Sequence, residues 1–308
     1  MIDYKKIIRS ESLRHRILQL LRFVPDKAML RLQYRIKTGR RLHLDNPRRY
    51  SEKLQWYKLY YRNEQMSLCA DKWEVRKYVA EKGLAHILNE CYGVWDRAEE
   101  FDWDAMPERF VIKDTLGAGG KYMIFVYDKA TVDRSACVSQ MRSWTEMSYQ
   151  KKHAGREWVY ENGKHRIIAE KLLIRDKDGD LPDYKFFCFD GRVYCSYKMI
   201  NYTQCHENGV LGFLDRDFRL MKATRTDLTP MTVQPEKPEH YDEMVKMAEI
   251  LAEGFPHVRV DFYNINGTIL FGEMTFFTAS GYMAFDPDEF DYTLGRQFVL
   301  PGRTVGLH

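Results

Sequence analysis

The chain reads as an α+β protein, and three observations carry that reading. Helical and strand-like patterns alternate from about residue 85 onward. Two dipeptides, Asp190-Gly191 and Asn266-Gly267, each separate a pair of apolar, alternating runs, the strongest short-range signal for a β-hairpin. At 308 residues the chain is long enough to bury a substantial core and to form two or three lobes.

Taken in order, residues 4–36 read as a basic amphipathic helix broken at Pro25, with Ile7, Ile8, Leu13, Ile17 and Leu20 interleaved with Lys5, Lys6, Arg9, Arg14 and Arg16. Residues 1–41 hold twelve Lys and Arg against three Asp and Glu, a surplus of +9 in a chain of net charge +4, so the remainder sits near −5. Such a segment suits an anionic lipid surface, with localisation on the inner face of the plasma membrane, and it equally suits packing on the protein's own body with its cations in water. The charge is local, which argues against nucleic acid as the partner. Ser51 is the expected N-cap of a second helix over 51–62, and Asp71 to Lys82 reads as a third. Short strands are expected over Ala85 to Trp95 and Phe110 to Lys113, then a helix from Thr131 to about Gln150. Residues 196–238 read as an irregular polar loop or lid, and Glu239 to Gly254 as a helix.

Hydrophobic and charged contents of 44% and 30% are those of a soluble globular protein. No apolar run approaches the roughly 20 residues that cross a bilayer, and the N-terminus lacks a signal peptide's apolar centre, so the expected location is the cytoplasm. The six cysteines form no C-x-x-C pair and no zinc spacing, and read as free thiols.

The hairpin around Asn266-Gly267 is the most informative stretch. Alternation across paired strands brings Asp261 and Glu273 side by side on one face, with Arg259 two residues earlier on that face. Two carboxylates so close repel unless a cation lies between them, and hard oxygen ligands suit Mg²⁺ shared with the phosphates of a nucleotide. The alternative is a solvated hairpin edge, which the apolar Val258, Phe262, Ile269 and Phe271 disfavour. Upstream, Gly117, Gly119 and Gly120 form a glycine-rich turn flanked by Lys113 and Lys121. That turn fits an anion-binding loop and plain hairpin geometry about equally, and no G-K-[ST] follows it. Glu170 and Lys171 interrupt an apolar strand, and Lys185 lies on another that reads as buried, where it needs a partner.

A strand lysine with a glycine loop, a Glu-Lys strand, a second strand lysine and a carboxylate hairpin with an arginine, in that order, resemble the ATP-grasp superfamily. Asn46-Pro47, Ser51-Glu52-Lys53-Leu54-Gln55-Trp56, Gly155-Arg156-Glu157-Trp158-Val159-Tyr160, Asp183-Tyr184-Lys185-Phe186 and the stretch from Gly272 to Gly281 narrow the resemblance to the TupA-like ATP-grasp family. The resemblance implies two α+β subdomains enclosing a nucleotide cleft. On it the chain divides into a basic helical extension (1–44), an N-terminal helical subdomain (45–108), a glycine-loop subdomain (109–175) and a C-terminal catalytic subdomain (176–308). It implies ATP and Mg²⁺ as cofactors. Lys113, Lys185 and the flap Gly117, Gly119 and Gly120 would meet the phosphates. Glu170 with the backbone near Lys171 and Leu173 would read adenine, Asp261 and Glu273 would hold Mg²⁺, and Arg259 would stabilise the transferred phosphate and the oxyanion. Thr275 stands where the superfamily pattern Glu-x-Asn has an amide, and a hydroxyl is the weaker neutral ligand. Trp158, Tyr160 and Tyr282 are candidates to stack on a sugar, although aromatics at such spacing are more often core; Arg156 and Ser280 complete the substrate candidates.

The activity implied is an ATP-dependent carboxylate–amine ligase of capsular or teichuronopeptide polysaccharide synthesis, joining a uronic-acid carboxylate to an amino acid or amine. A glycosyltransferase or sugar-binding module that lost ligase chemistry is the alternative that Thr275 favours, and a sugar kinase on the same fold is a third.

Overall fold

The structure, a computed structural model, describes residues 21–117, 122–146, 155–161, 163–174, 181–200 and 209–305. The first half of the expected basic helix lies outside these residues. Beyond Pro25, helix α1 (Asp26–Thr38) buries Met29, Leu30 and Tyr34 and ends at Gly39, whose φ of 74° is the left-handed conformation that closes a helix at low cost. Helix α2 (Tyr50–Tyr60) starts one residue before Ser51, so Ser51 is not its N-cap. Ser51 instead donates its hydroxyl to the buried Asp291 at 2.7 Å and meets Tyr34 Oη at 2.9 Å, while Glu52 accepts from the backbone N–H of Arg48 and Arg49. An additional helix, α3 (Glu64–Ala70), precedes α4 (Glu74–Glu81), which is the helix expected over Asp71 to Lys82. Asn63 caps the first, and Asp71 Oδ1 accepts from the N–H groups of Trp73 and Glu74 at the second. Ala85–Ile87 is a 3₁₀ turn rather than strand.

Two sheets follow. The first runs β1-β4-β2-β3, fully antiparallel, from β1 (Cys91–Trp95), β2 (Phe110–Asp114), β3 (Met123–Val126) and β4 (Ile167–Lys171). Helix α5 (Arg134–Thr145), capped by Asp133, covers it through Met141 and Trp144, and these close a core with Phe101, Phe110 and Ile167. The second sheet begins with β5 (Asp183–Phe189), β6 (Arg192–Ile200) and β7 (Val210–Asp215). The β5–β6 turn is at Asp190 and Gly191, both with positive φ, as expected. The region expected to be an irregular lid is only partly so: β6 continues to Ile200, β7 pairs with it, and two-residue strands β8 (Thr224–Arg225) and β9 (Thr229–Pro230) follow, with the described remainder irregular. Alternation is too short in β8 and β9 to show as a pattern, since their pairing depends on distant partners. Helix α6 (Tyr241–Ala252) leads to β10 (His257–Ile265) and β11 (Thr268–Thr275), giving the order β11-β10-β5-β6-β7-β9. Strand β12 (Phe285–Asp286) pairs with β8, and helix α7 (Glu289–Gln297) packs on α2. There Gly295 is obligatory, because a Cβ would lie 2.1 Å from Arg48 O.

Strand β10 sets the two faces of this sheet. Val258, Val260 and Phe262 are fully buried in the main core, and Asn264 on the same side reaches Glu239 O and Met244 at the start of α6. His257, Arg259 and Asp261 take the opposite face. His257 is sealed under α2: Nδ1 donates to Cys188 O at 2.8 Å, so the neutral ring accepts from Tyr50 Oη at Nε2, also at 2.8 Å. Burial, reinforced by nearby Arg259 against the Cys188 hydrogen bond, pushes the His257 pKa down to about 3. Between that value and the ordinary 6.5 the unfolded chain holds a proton that the folded chain refuses, so stability must fall as pH drops below about 6.5. Urea unfolding from pH 7 to 4.5 should show this residue contributing a loss of about 1.4 kcal/mol per pH unit, and His257→Gln should flatten that part of the slope.

Candidate active site

The β10–β11 hairpin turns at Asn266 and Gly267, with φ of 50° and 82°, the paired positive values that an Asn-Gly turn supplies. Asp261 and Glu273 are direct register partners, but Phe262 pairs with Phe271, so Gly272 is an extra residue. A Cβ on Gly272 would sit 3.0 Å from Asp261 O, and the missing side chain lets the two strands close at this bulge. The sequence thereby places both carboxylates and Thr275 on one face with Arg259.

Arg259 holds them together. Its Nε and Nη2 grip the two oxygens of Asp261, each at 2.7 Å, and Nη2 also reaches Glu273 Oε1 at 2.7 Å and Thr275 Oγ1 at 3.0 Å. From β5, where Lys185 is the register partner of Asp261, the Lys185 Nζ donates to Asp261 Oδ2 at 2.6 Å and contacts Asp183 Oδ2 at 2.5 Å. Three carboxylates thus meet two cations in direct contact. Burial pushes Asp261 up to about 6 against the pull of Arg259 and Lys185. Glu273 feels burial too, but Arg259, Lys185 and Lys72 outweigh it and bring the carboxyl down to about 2, so both acids are ionised at neutral pH. One donor and one acceptor stay open: Arg259 Nη1 makes no hydrogen bond among the described residues, and Glu273 Oε2 accepts none.

A cavity of about 370 Å³ opens on this cluster and is lined by Arg259, Glu273, Thr275, Lys72, Glu157 and Ser280, with Tyr160 and Gly117 also at its wall. Lys72 is a residue that sequence reasoning missed. Its backbone N–H binds Thr115 O at 2.9 Å and its Nζ donates to Gly117 O at 2.5 Å, which fixes an ammonium group between the glycine turn and Glu273. Nothing in Asp71-Lys72-Trp73 marks it, because its place comes from contact with β2's far end. The turn itself is anchored by Asp114, fully buried, which accepts from Leu116 N and meets His165 Nδ1 at 2.7 Å. Gly117 lies on the cavity; Gly119 and Gly120 lie outside the described residues.

On the first sheet, Glu170 receives Lys113 Nζ at 2.8 Å and Arg76 Nη1 at 3.1 Å, so the strand lysine and the strand carboxylate are each other's partners. The main chain of Lys171 is already engaged, its N–H by Glu90 O and its carbonyl by Asn89 Nδ2, both at 2.9 Å, so the second lone pair of that carbonyl is what it has left for a nucleobase. Leu173 lies just past the end of β4 and is half-buried. Of the substrate candidates, Tyr160 and Ser280 reach the cavity. Arg156 does not: it is buried with Nη2 on Leu21 O and Val24 O and Nε 3.4 Å from Asp26, so it fastens the segment ahead of α1. Trp158 packs between Arg62 and Phe277, and Tyr282 donates to Gln33 with Lys37 over its ring, so both serve packing. Among the described residues no group of three or more His, Cys, Asp or Glu stands ready as a metal cage.

Replacing Arg259 with Met should therefore leave the buried Asp261 with Lys185 alone, and the more exposed Glu273 without its main cation. A loss of about 3 kcal/mol or more is expected by urea unfolding at pH 7, part of it recovered when Glu273→Gln is added.

A family profile described as TupA-like ATPgrasp matches residues 52–299. No curated protein matches the chain. Among solved structures, D-alanine–D-alanine ligase from Bacillus anthracis is similar at 15% identity and a TM-score of 0.41, over 68% of this chain and 58% of that one. The ATP-grasp ligase PsnB, solved with a precursor variant, Mg and ADP, gives 12% and 0.42 over 81% and 66%. D-alanyl-alanine synthetase A from Vibrio cholerae gives 8% and 0.38 over 73% and 57%. The chain thus spans less than two thirds of the length of these structures. The profile covers most of the chain, including both sheets and the carboxylate hairpin, and on that match the protein belongs to the TupA-like ATP-grasp family.

Proposed function

We propose that this protein is an ATP-dependent ligase that joins a carboxylate to an amine, and that the carboxylate is a uronic acid of a bacterial surface polysaccharide. The observation that carries the ligase reading is the Arg259–Asp261–Glu273–Lys185 cluster opening on a cavity beside Lys72 and Gly117. The family's association with capsular and teichuronopeptide synthesis supplies the polysaccharide setting.

In this reading the nucleotide's base lies against β4 near Glu170, Lys171 and Leu173, and its phosphates are met by Lys113, Lys72 and Lys185 under the turn of Gly117, Gly119 and Gly120. The donor set fits one magnesium ion: the contacting cluster has one carboxylate more than it has cations, Glu273 Oε2 is open, and Asp261 Oδ1 accepts only from Arg259 Nε and keeps one lone pair. Glu273 would hold the ion directly, with Asp261 and the Thr275 hydroxyl beside it. Magnesium, when bound, would neutralise phosphate charge during transfer. The substrate carboxylate attacks the γ-phosphorus and ADP leaves; the amine then attacks the acyl phosphate and inorganic phosphate leaves. Arg259 Nη1, aimed by the bonds that fix the rest of its guanidinium, is the donor for the oxyanion that develops at the acyl carbon. No enzyme nucleophile is required. Cys69, the thiol at the cavity wall, is pushed by burial up to about 12 and stays protonated.

Contact with an anionic membrane surface is proposed for residues 1–41. Phe23, Leu32 and Ile36 are exposed among the cations of the described part, and no described helix is long and apolar enough to cross a bilayer.

Mass spectrometry of mixtures of protein, Mg·ATP, uronic-acid sugars and small amines tests the proposal. ADP, phosphate and an amide should form together, and Glu273→Gln should lower turnover about 100-fold or more. Consumption of a nucleotide sugar without ATP, or a stable sugar phosphate formed with no amine present, would replace the ligase with a transferase or a kinase.

A further inference from the structure

Glu157 is the carboxylate at the cavity wall that the cluster above does not use. It is 6% exposed and lines the cavity with Ser280 and Tyr160. Its Oε1 accepts the Ser280 hydroxyl and lies 4.0 Å from Lys58 Nζ. Lys58 is itself sealed in, and two of its N–H groups are committed to Gly155 O and Ser280 O, both at 2.9 Å. The second oxygen, Oε2, has no hydrogen-bond partner among the described residues, yet it is not a sealed atom.

The surroundings make this arrangement a built one. Ala279 and Ser280 both adopt left-handed backbone, with φ of 47° and 53°, a cost that side chains other than glycine incur only when neighbours impose it. The neighbours are Gln55, whose Nε2 donates to Ser280 O at 3.0 Å and to Gly281 O at 2.9 Å, and Lys58 on the same carbonyl. Clamped in this way, Ser280 holds one oxygen of Glu157 and leaves the other for the cavity. Of the cavity's other charges, Arg259 pairs with Glu273, whose open oxygen is taken by the metal in the reading above, and Lys72 is bonded to the carbonyls of Thr115 and Gly117. A buried carboxylate with one unsatisfied oxygen gains most from a cation that brings its own donors, and an ammonium group has three.

We infer that Glu157 anchors the ammonium group of a small primary amine in this cavity, the amine donor of the ligation proposed above, on which the inference rests. Glu157 is then a substrate-binding residue, and Ser280, Lys58 and Gln55 position it.

Ethanolamine and its neutral counterpart ethylene glycol are the probes, titrated calorimetrically into the full-length protein with and without Mg·AMP-PNP. Ethanolamine should bind and the diol should not. Glu157→Gln should weaken ethanolamine by at least about tenfold while leaving the affinity for AMP-PNP unchanged. If Glu157→Gln fails to fold, Glu157→Asp, which keeps the charge but withdraws the oxygen, carries the same expected loss. A diol that binds as well as ethanolamine, no ethanolamine binding at all, or undiminished binding in the variants would overturn the assignment. Loss of AMP-PNP binding by the wild-type protein is a separate outcome, which strikes the ligase reading and not the amine site.

Discussion

A guanidinium between two carboxylates is the constraint around which this protein is arranged. Asp261 is almost wholly buried, and an acid there is tolerable only because Arg259 grips both its oxygens and Lys185 takes a third bond. Every backbone feature nearby serves that contact. The Asn266-Gly267 turn sets the register, Gly272 gives the bulge that brings Glu273 level with Asp261, and β5 delivers Lys185 to the same point from the other side. Three carboxylates against two cations leave the contacting cluster one negative charge in excess, which is where the proposed metal would sit.

The same strand couples the core to the cavity. On one face of β10, Val258, Val260 and Phe262 belong to the main core beneath α6; on the other, His257, Arg259 and Asp261 lead from the sealed Tyr50 contact toward the open cavity. A shift of one residue would exchange these faces, so the apolar packing of α6 against β10 also fixes where the acids point. Lys72 and the Ser280 turn close the cavity from two other parts of the chain, one between helices and one after β11.

What could be read from the residues follows from what is local. Two hairpins with Asp-Gly and Asn-Gly turns announce themselves through turn chemistry and alternation, and the pairing of Asp261 with Glu273 follows from the second of them. Ser51 looks like a cap by type alone, yet its hydroxyl is claimed by Asp291, 240 positions away. Lys72 and Arg76 have no local signature, and Glu157 lies in a motif that gives it no role, because each owes its place to partners on another element: Gly117, Glu170 and Ser280. Arg156 and Tyr282 share the motifs that point to the site, but their side chains face the N-terminal helix instead. Motifs mark a neighbourhood, and the direction of each side chain within it is set by tertiary contact.

The central claim, that the acids on β10 and β11 hold a divalent cation beside a triphosphate, is tested most directly by titrating AMP-PNP into the protein at increasing Mg²⁺, with Glu273→Gln alongside. The account predicts that Mg²⁺ tightens nucleotide binding by about tenfold or more in the wild-type protein and does little in the variant. Binding that ignores Mg²⁺, or a variant that responds to the ion as the wild type does, would contradict it.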